Sequence, residues 1–284
     1  MGWLVSKRIL VVGQGSYIGE SFARYAKDIF TIDVVDSRND KWQDVDFSGY
    51  DTILHCAGIA HVAQKKNMRE LYYAINCQLA VTVAQKAKNE GVGQFVFLSS
   101  MSVYHHSQKE ITKDTPPNPI CFYGGSKLAA EKQLQQLATS SLKMCIVRPP
   151  MVYGAGCKGN FPRIVTLTRR LPIFPNINNR RSMIYIDNLC EFFVQAIDSE
   201  REGVYLPQNE EWVNTTKLVK LIAKAQGKNI FTTKIFNPAI KLLSKSLSQF
   251  GKLFGNLYYA QTGDEHEYNK INFSDSIKAS VTKE

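Results

Sequence analysis

The sequence predicts an α/β protein built on a doubly wound parallel sheet, with a smaller second domain interwoven with the C-terminal part of the chain. Two patterns predict this class. Short runs of β-branched and aromatic residues alternate with segments of helical periodicity through the first 150 residues. Two of these runs close on glycine or Ala-Gly, as expected where ligands bind at the carboxyl ends of parallel strands. A chain of 284 residues can hold one large domain and a smaller one.

The first elements read as strand, tight turn and helix. The run "RILVVG" (8–13) is apolar and β-branched, and the "QGSYIGESFARYAK" that follows has helical periodicity. A second strand is predicted at "FTIDVVD" (30–36) and a third at "DTILHCAG" (51–58). The segment between them is very short, so the helix expected there is predicted to be reduced.

The later elements continue the alternation. We expect a helix over about 67–90 with Gly91 as its stop signal, a strand at 94–100, a helix after Tyr123 and a strand at 143–150. Beyond that point the chain becomes rich in Asn, Arg, Gly and Pro, before strand and helix return at 183–198.

These changes in composition and periodicity define the expected domains. They predict a dinucleotide-binding domain over 6–152, rejoined by about 182–200, and a substrate-binding domain made of 153–181 and 201–275.

Composition narrows the class of protein. The chain is 44% hydrophobic and 21% charged, which is ordinary for a folded globular protein. No apolar run approaches the length of a membrane span, so we expect no membrane partner and a cytoplasmic location. The six cysteines are scattered without metal-ligand spacing, which predicts free thiols and no metal site.

The net charge of +10 raises the question of a nucleic-acid partner. The basic residues are dispersed, with Arg pairs at 169–170 and 180–181 as the dense spots, and no aromatic-basic interleaving marks a stacking platform. We therefore expect no nucleic acid. Such arginines suit a small phosphate-bearing substrate equally well.

The first turn, "GQGSYIG", has the features of a dinucleotide-phosphate loop. Gly13 and Gly19 occupy the outer positions of a G-x-x-G-x-x-G spacing, Ser16 occupies the middle one, and Gly15 beside it supplies conformational freedom. Backbone amides at a helix N-terminus favour anions. The predicted cofactor contacts at this turn are Gly13, Gly15, Ser16, Tyr17, Ile18 and Gly19.

The end of the second strand bears on the choice of cofactor. Asp36 lies 17 residues beyond Gly19, where a carboxylate can accept the hydroxyls of the adenine ribose and repel a 2′-phosphate, which favours NAD. Arg38 can instead hold a 2′-phosphate, so NADP stays possible.

A tyrosine and a lysine four residues apart, Tyr123 and Lys127, begin the helix after "TPPNPICF". Positions i and i+4 share one helix face, so the phenol and the ammonium can reach one small volume. A hydroxyl at the end of "FLSSMSVY" lies in the same crevice. We expect the ammonium and a nicotinamide cation to lower the pKa of Tyr123 well below about 10, which suits proton exchange.

Together these motifs give a family resemblance. Seven motifs follow one another over residues 8–198: "GQGSYIG", "LHCAG", Asn76 in "AINCQLAVTVA", "FLSSMSVY", Tyr123-x-x-x-Lys127, "RPPMVYG" and "RSMIYIDNL". The chain resembles the extended short-chain dehydrogenases/reductases, the nucleotide-sugar epimerase and dehydratase group, which have a Rossmann-type fold.

The resemblance implies roles for individual residues. Tyr123 is the implied acid/base, Lys127 its partner and Ser100 the catalytic hydroxyl, with Ser102 as the alternative. The implied cofactor contacts include Tyr123, Lys127, Ala57, Gly58, Asn76 and Pro149, and the implied substrate contacts are Ser100, Asn160 and Arg181, the last two at the diphosphate of a UDP-sugar.

The reaction stays open between several alternatives. A 4,6-dehydratase resemblance calls for Asp-Glu after the catalytic hydroxyl, where this chain has Met101 and Ser102, so dehydration is disfavoured. An NAD-dependent UDP-hexose or UDP-HexNAc 4-epimerase is preferred, with an NAD(P)H-dependent 4-ketoreductase of a UDP-4-keto-6-deoxy sugar as the alternative. A non-catalytic dinucleotide-binding sensor is a third hypothesis. The helices near 67–90 and 123–139 resemble the pair that forms a dimer interface in many relatives, which predicts a homodimer.

Overall fold

A computed structural model describes residues 6–60, 68–105, 107–235, 237–238, 240 and 254–281. Part of the predicted second domain, including residues 241–253, lies outside the described residues, as does the first residue of the helix predicted at 67–90. The chain divides into two compact units. The first contains Met1–His105, Pro117–Pro149 and Leu189–Pro207, and the second contains the remaining residues.

The elements alternate along the chain as the sequence patterns predict. The strands are β1 (Arg8–Val12), β2 (Thr31–Val35), β3 (Thr52–His55), β4 (Gln94–Leu98), β5 (Glu110–Ile111), β6 (Lys143–Val147), β7 (Met151–Tyr153), β8 (Ile173–Pro175), β9 (Met183–Tyr185), β10 (Gly203–Tyr205), β11 (Phe231–Thr233) and β12 (Tyr258–Tyr259). The α-helices are α1 (Tyr17–Tyr25), α2 (Arg69–Tyr73), α3 (Leu79–Asn89), α4 (Phe122–Leu137), α5 (Asn160–Arg170), α6 (Ile186–Asp198), α7 (Thr215–Ala225), α8 (Glu265–Tyr268) and α9 (Phe273–Val281). A π-helical turn, Ala74–Gln78, joins α2 to α3, and 3₁₀ turns cover Asp40–Asp44 and Met101–Val103.

The first unit is built on a six-stranded sheet in the order β10-β6-β4-β3-β1-β2. Every neighbouring pair is parallel. Because β2 and β3 lie on opposite sides of β1, the strand order reverses there, and a crevice opens at the carboxyl ends of β1 and β3. The predicted α/β class with a parallel central sheet is confirmed. Between β2 and β3 the helix is reduced to a 3₁₀ turn, as expected.

The core of this unit forms where α3 and α4 cover the sheet. Strand residues such as Ile53, Phe95 and Ile146 pack against Ala84 and Leu134 of the two helices. Because alanine dominates the buried face of α3, its backbone can approach the strands closely. Full burial of one such large apolar side chain stabilises the fold by roughly 1.5–3 kcal/mol.

The second unit contains three two-stranded parallel sheets, β8–β11, β5–β12 and β7–β9. Its aromatic core surrounds Tyr153, whose ring lies 5.2 Å from Phe161 and 5.6 Å from Tyr185. The Tyr153 hydroxyl pairs with Ser276 at 2.6 Å and accepts a hydrogen bond from Asn209. No helix among the described residues is long and apolar enough to cross a membrane.

The boundaries of the two units differ from the expected domain boundaries at two strands, and the pairing of each strand explains the difference. β10 pairs with β6 of the central sheet, although the expected boundary put residues 201–275 in the second domain. β5 pairs with β12 of the second unit, although it was expected in the first. Such long-range pairing of two- or three-residue strands leaves no periodic signal in the sequence.

Candidate active site

Helix α4 carries Tyr123 and Lys127 on its first two turns. Cys121 caps the helix, with its Sγ accepting a hydrogen bond from the amide of Gly124 at 3.4 Å. A Cβ at position 124 would lie only 2.0 Å from the carbonyl oxygen of Ser102, so only glycine allows this close approach. The start of the helix is thereby held against the turn that follows β4.

Ser100 is the hydroxyl that the structure brings to Tyr123. It follows β4 and caps the 3₁₀ turn, where its Oγ accepts a hydrogen bond from the amide of Ser102 at 3.1 Å. Its side chain also hydrogen-bonds the Tyr123 phenol. Ser102, the alternative, contributes its backbone to the turn. The backbone amide of Met101 donates to the carbonyl oxygen of Pro149 at 2.9 Å, which fixes this turn to the end of β6.

The acidity of Tyr123 differs from the expectation. Burial raises the pKa of this phenol above its ordinary value, while the hydrogen bond with Ser100 acts in the opposite direction. The nearby Cys121 and Tyr72 raise the pKa further. The expected lowering is therefore wrong for the protein groups alone, because desolvation of a phenolate outweighs the hydrogen bond that stabilises it.

Lys127 is 3% exposed. Its Nζ donates a hydrogen bond to the carbonyl oxygen of Leu98 at 2.8 Å and lies 4.7 Å from the centre of the Phe97 ring. Burial lowers the pKa of Lys127 to about 8, against smaller raising effects from Cys56 and Glu131. A group with that pKa is still mostly an ammonium at pH 7, so a positive charge is present beside the crevice.

Asn76 ties the loop after β3 to α4. Its Oδ1 accepts a hydrogen bond from the Ile59 amide at 2.8 Å, and its Nδ2 donates to the Ile59 carbonyl and to Ser126 Oγ, both at 3.0 Å. Ser126 in turn donates to the carbonyl oxygen of Tyr123 at 2.9 Å. Asn76 lies in the π-helical turn, a distortion that is frequent at functional sites. The sequence interpretation selected Asn76 but missed Ser126, which reads there as an ordinary helix residue.

Gly58 closes the space between these groups. A Cβ at this position would lie 2.8 Å from Asn76 Oδ1 and 3.2 Å from Lys127 Nζ. Ala57, beside it, follows β3 and donates its amide to Val12 at 2.9 Å. The carboxyl ends of β1, β3 and β4 therefore contribute to one site with α4.

The glycine loop after β1 has the geometry of an anion cradle. Gly13 has φ 131°, and a Cβ there would meet the Ala57 amide at 2.7 Å. Gly15 has φ 81° with open space around it, and its amide donates to the carboxylate of Glu20 at 3.0 Å. Ser16 caps α1 by accepting a hydrogen bond from the Gly19 amide at 3.4 Å, so Tyr17 and Ile18 form the first turn.

This loop fits the pyrophosphate of a dinucleotide. Gly13 lets the loop pack against the Ala57 backbone, a Cβ at Gly15 would project into open space, and the Gly15 amide already donates to an anionic oxygen. The positive end of α1 faces the same side. The sequence interpretation missed Glu20, because a first-turn glutamate normally reads as a helix-dipole residue.

Asp36 and Arg38 form a paired group at the end of β2. The guanidinium Nε and Nη2 donate to the carboxylate at 2.9 Å and 2.7 Å, and the Arg38 amide adds a third bond at 2.9 Å. These hydrogen bonds lower the pKa of Asp36 to about 2, so the side chain is a carboxylate at neutral pH. The carboxylate that favours NAD and the guanidinium that can hold the 2′-phosphate of NADP are therefore paired with each other.

Two of the three predicted substrate residues, Asn160 and Arg181, belong to the second unit. Asn160 is exposed and is the first residue of α5. Arg181 exchanges backbone hydrogen bonds with Val213, and its Nη1 donates to the carbonyl oxygen of Gly255 at 3.1 Å. Burial lowers the pKa of Arg181 to about 10. A desolvated guanidinium of this kind is suited to bind a phosphate group.

Among the residues that the structure describes, no group of three or more His, Cys, Asp or Glu side chains has an arrangement that could hold a metal ion. The six cysteines are all free thiols.

Comparison with known proteins identifies the family of the chain. The sequence model of the NAD dependent epimerase/dehydratase family matches residues 8–206. The UDP-glucose 4-epimerase of Vibrio cholerae is 34% identical over 214 residues, which cover 72% of this chain and 63% of that protein. The chain thus spans less than two thirds of this relative.

Two solved structures share the fold. UDP-N-acetylglucosamine 4-epimerase from Bacillus cereus aligns with a TM-score of 0.74 at 15% identity, over 96% of this chain and 97% of that one. dTDP-4-dehydrorhamnose reductase from Bacillus anthracis, in complex with NADP, aligns with a TM-score of 0.71 at 18% identity, over 98% of this chain and 100% of that one. The expected cofactor NAD agrees with the family description. The chain belongs to the NAD dependent epimerase/dehydratase family.

Proposed function

We propose that this protein is an NAD-dependent 4-epimerase of a nucleotide sugar, a UDP-hexose or UDP-HexNAc, with Tyr123 as acid/base. The observation that carries the proposal is that three groups lie where α4 meets the end of β4. The Tyr123 phenol hydrogen-bonds Ser100, and Lys127, one helical turn further along α4, is buried and donates to the carbonyl oxygen of Leu98.

In the proposed reaction the Tyr123 oxygen takes the proton of the sugar 4-hydroxyl and later returns it to the 4-keto oxygen. Bound NAD supplies the hydride acceptor and donor at C4. Ser100 holds the reacting oxygen by a hydrogen bond, and Lys127 provides the positive charge that stabilises a phenolate. Net epimerisation requires the 4-keto sugar to turn between the two hydride transfers.

In this cycle Tyr123 starts and ends as a phenolate, which the raised pKa of the phenol in the protein alone disfavours. A proton acceptor in the first step needs additional stabilisation of the phenolate, and positive charge at the nicotinamide side supplies it. The Lys127 ammonium is held by its hydrogen bond to the carbonyl oxygen of Leu98, in space that the missing side chain of Gly58 leaves free. The arrangement therefore supports proton transfer that depends on bound oxidised cofactor.

The UDP part of the substrate rests on the second unit in this proposal. Arg181 offers a desolvated guanidinium, and Asn160 offers an amide at the start of a helix. The substrates named for two similar proteins support a UDP-sugar: UDP-glucose for the Vibrio protein and UDP-N-acetylglucosamine for the Bacillus cereus protein.

A second candidate is an NAD(P)H-dependent 4-ketoreductase of a UDP-4-keto-6-deoxy sugar. It uses the same residues in one direction, with Tyr123 donating the proton. The observation that favours it is Arg38, whose guanidinium at the end of β2 is 75% exposed and suited to a 2′-phosphate. A non-catalytic dinucleotide sensor is the least supported alternative, because both Tyr123 and Lys127 are present.

We also propose a cytoplasmic homodimer, with α2, α3 and α4 supplying the interface. Leu71 on α2 is a large apolar side chain with 43% exposure, which suits such a surface. Sedimentation equilibrium on the purified protein measures the subunit number directly.

Identification of the resident nucleotide tests the proposed function. The purified protein is denatured, and the released nucleotide is identified and counted. We expect close to one NAD per chain, together with interconversion of a UDP-sugar and its C4 epimer without added cofactor. A protein that releases no nucleotide and consumes NADPH with a 4-keto sugar contradicts the epimerase and supports the reductase.

A further inference from the structure

The positive charge of the chain is concentrated in the second unit. The sequence from Pro150 to Ile186 contains six Lys or Arg and no Asp or Glu, and that from Trp212 to Gly263 contains eight lysines and no Asp or Glu. The remaining residues hold 21 basic and 25 acidic side chains. The net charge of +10 therefore comes entirely from these two segments, in contrast to the dispersed pattern expected from the basic residues alone.

Exposed apolar side chains gather at the same place. Among the described residues, eight large hydrophobic side chains are exposed, and four of them lie on α5, on β8, on β11 and just beyond β11. Phe231 and Ile235 are the two most exposed, at 76% and 81%. Leu167 on α5 and Ile173 on β8 are the other two.

The backbone brings these elements into one surface. β11 and β8 are parallel, with Phe231 in register with Ile173, so the two side chains point to the same face of the small sheet. Phe174, next along β8, is 2% exposed and lies on the inner face. The Lys228 ammonium donates to the carbonyl oxygens of Arg169 and Leu171, which joins the end of α5 to the approach to β11.

Basic residues border the apolar ones. Arg169 and Arg170 end α5 and are exposed, and exposed Lys234 lies between β11 and Ile235. We call the surface formed by Leu167, Arg169, Arg170, Ile173, Phe231, Lys234 and Ile235 the basic apolar face. Its cations belong to the two segments that contain no Asp or Glu.

In contrast to the expectation of no membrane partner, which rested on the lack of a spanning segment, we propose that the basic apolar face binds the surface of an anionic phospholipid membrane. Exposed Phe, Ile and Leu with flanking Arg and Lys match an interfacial site, in which apolar groups enter the acyl boundary and cations meet lipid phosphates. Nucleic acid is the less suitable partner, because aliphatic side chains make up three of the four apolar members and provide no stacking surface. The proposal does not depend on the enzymatic activity.

Vesicle co-sedimentation tests the proposal. The purified full-length chain is mixed with vesicles of phosphatidylglycerol and phosphatidylcholine, or of phosphatidylcholine alone, at roughly 0.1 M NaCl. We expect binding to the anionic vesicles only, with loss of binding when the salt is raised to roughly 0.5 M. The double variant Phe231→Ser/Ile235→Ser is expected to lower the partition coefficient by about tenfold or more.

Two controls make the result specific. Ile29→Ser replaces a 46% exposed isoleucine of the first unit and is expected to leave vesicle binding unchanged. Circular dichroism and thermal denaturation verify that each variant is folded. Absence of wild-type binding to anionic vesicles, or equal binding by the double variant, overturns the proposal. Binding of single-stranded RNA or self-association through this face, without vesicle binding, overturns it too and assigns the surface to that partner.

Discussion

Arg148 and Glu131 form a buried ion pair that joins the end of β6 to helix α4 one turn beyond Lys127. The guanidinium Nη2 lies 2.5 Å from one carboxylate oxygen and Nε lies 3.0 Å from the other. Ser99 donates to the same carboxylate, and the Tyr104 hydroxyl accepts from Arg148 Nη1 at 2.6 Å. These contacts fix the ends of β4 and β6 to α4, the helix that carries the candidate acid/base Tyr123.

Removal of one member of this pair is expected to destabilise the protein strongly. Glu131→Gln leaves the Arg148 guanidinium buried without its counter-charge, which costs about 3–5 kcal/mol in the free energy of unfolding. Denaturant titration measures the loss. The control is Lys143→Gln, because Lys143 and Glu200 form an exposed pair whose loss is expected to change the free energy of unfolding far less. Equal losses in the two variants contradict a structural role for the buried pair.

Lys127 predicts a specific pH dependence of stability. Its pKa falls to about 8 in the folded protein from 10.5, so between these values the unfolded chain binds more protons than the native one. The free energy of unfolding of the wild type relative to Lys127→Met is therefore expected to rise with pH from about 8 to 10.5, by on the order of 3 kcal/mol, and to be constant below this window. Lys132→Met, at an exposed site on the same helix, is the control. A difference that falls with pH contradicts the buried ammonium.

The Asp36–Arg38 pair predicts how cofactor choice can be changed. Asp36→Asn removes the charge that repels a 2′-phosphate and frees the Arg38 guanidinium, so the affinity ratio of NADP to NAD is expected to rise by about tenfold or more. Arg38→Gln is expected to lower NADP affinity and to leave NAD affinity nearly unchanged. Fluorescence titration with both dinucleotides measures the ratios. An unchanged NADP-to-NAD affinity ratio in Asp36→Asn contradicts binding of the adenine ribose at Asp36.

Arg181 gives a prediction for the substrate. Arg181→Gln is expected to raise the KM for the UDP-sugar by about 10–100-fold, because a charge-assisted bond to the diphosphate is lost, while NAD content stays at the wild-type level. Arg180→Gln is the matched control, since Arg180 is exposed and stacks on Trp212 at 4.7 Å. Steady-state kinetics distinguish the two. A larger KM effect at Arg180 than at Arg181 contradicts the assigned subsite.

Much of the first unit follows from local sequence patterns. Glycine at 13 and at 58 marks two strand ends because the backbone must turn or approach closely there, and the i, i+4 spacing of Tyr123 and Lys127 places both on one helix face. Asn76 could be selected only through the family resemblance. Its three hydrogen bonds to Ile59 and Ser126 exist because the π-helical turn aims the side chain at them, and no local pattern encodes that turn.

Other features depend on tertiary packing and were not predictable. Glu131 reads as a polar helix residue until Arg148, from a strand, is brought to it. The raised pKa of Tyr123 reflects burial, which residue spacing does not report. β10 and β5 are too short for a periodic signal, and their sheets are chosen by long-range pairing. The segregation of charge is visible in the sequence, but it shows in where acidic residues are absent and not in where basic residues lie.

The most direct test of the central claim follows the hydrogen at C4. UDP-sugar carrying deuterium at C4 is incubated with the wild type and with Tyr123→Phe, in ordinary water and without added cofactor. We expect the wild type to form the C4 epimer with the deuterium retained at C4, and Tyr123→Phe to keep its bound NAD but lose at least about 10²-fold in kcat. Undiminished turnover by Tyr123→Phe, or loss of the deuterium to water during epimerisation, contradicts transient oxidation at C4 with this tyrosine as the acid/base.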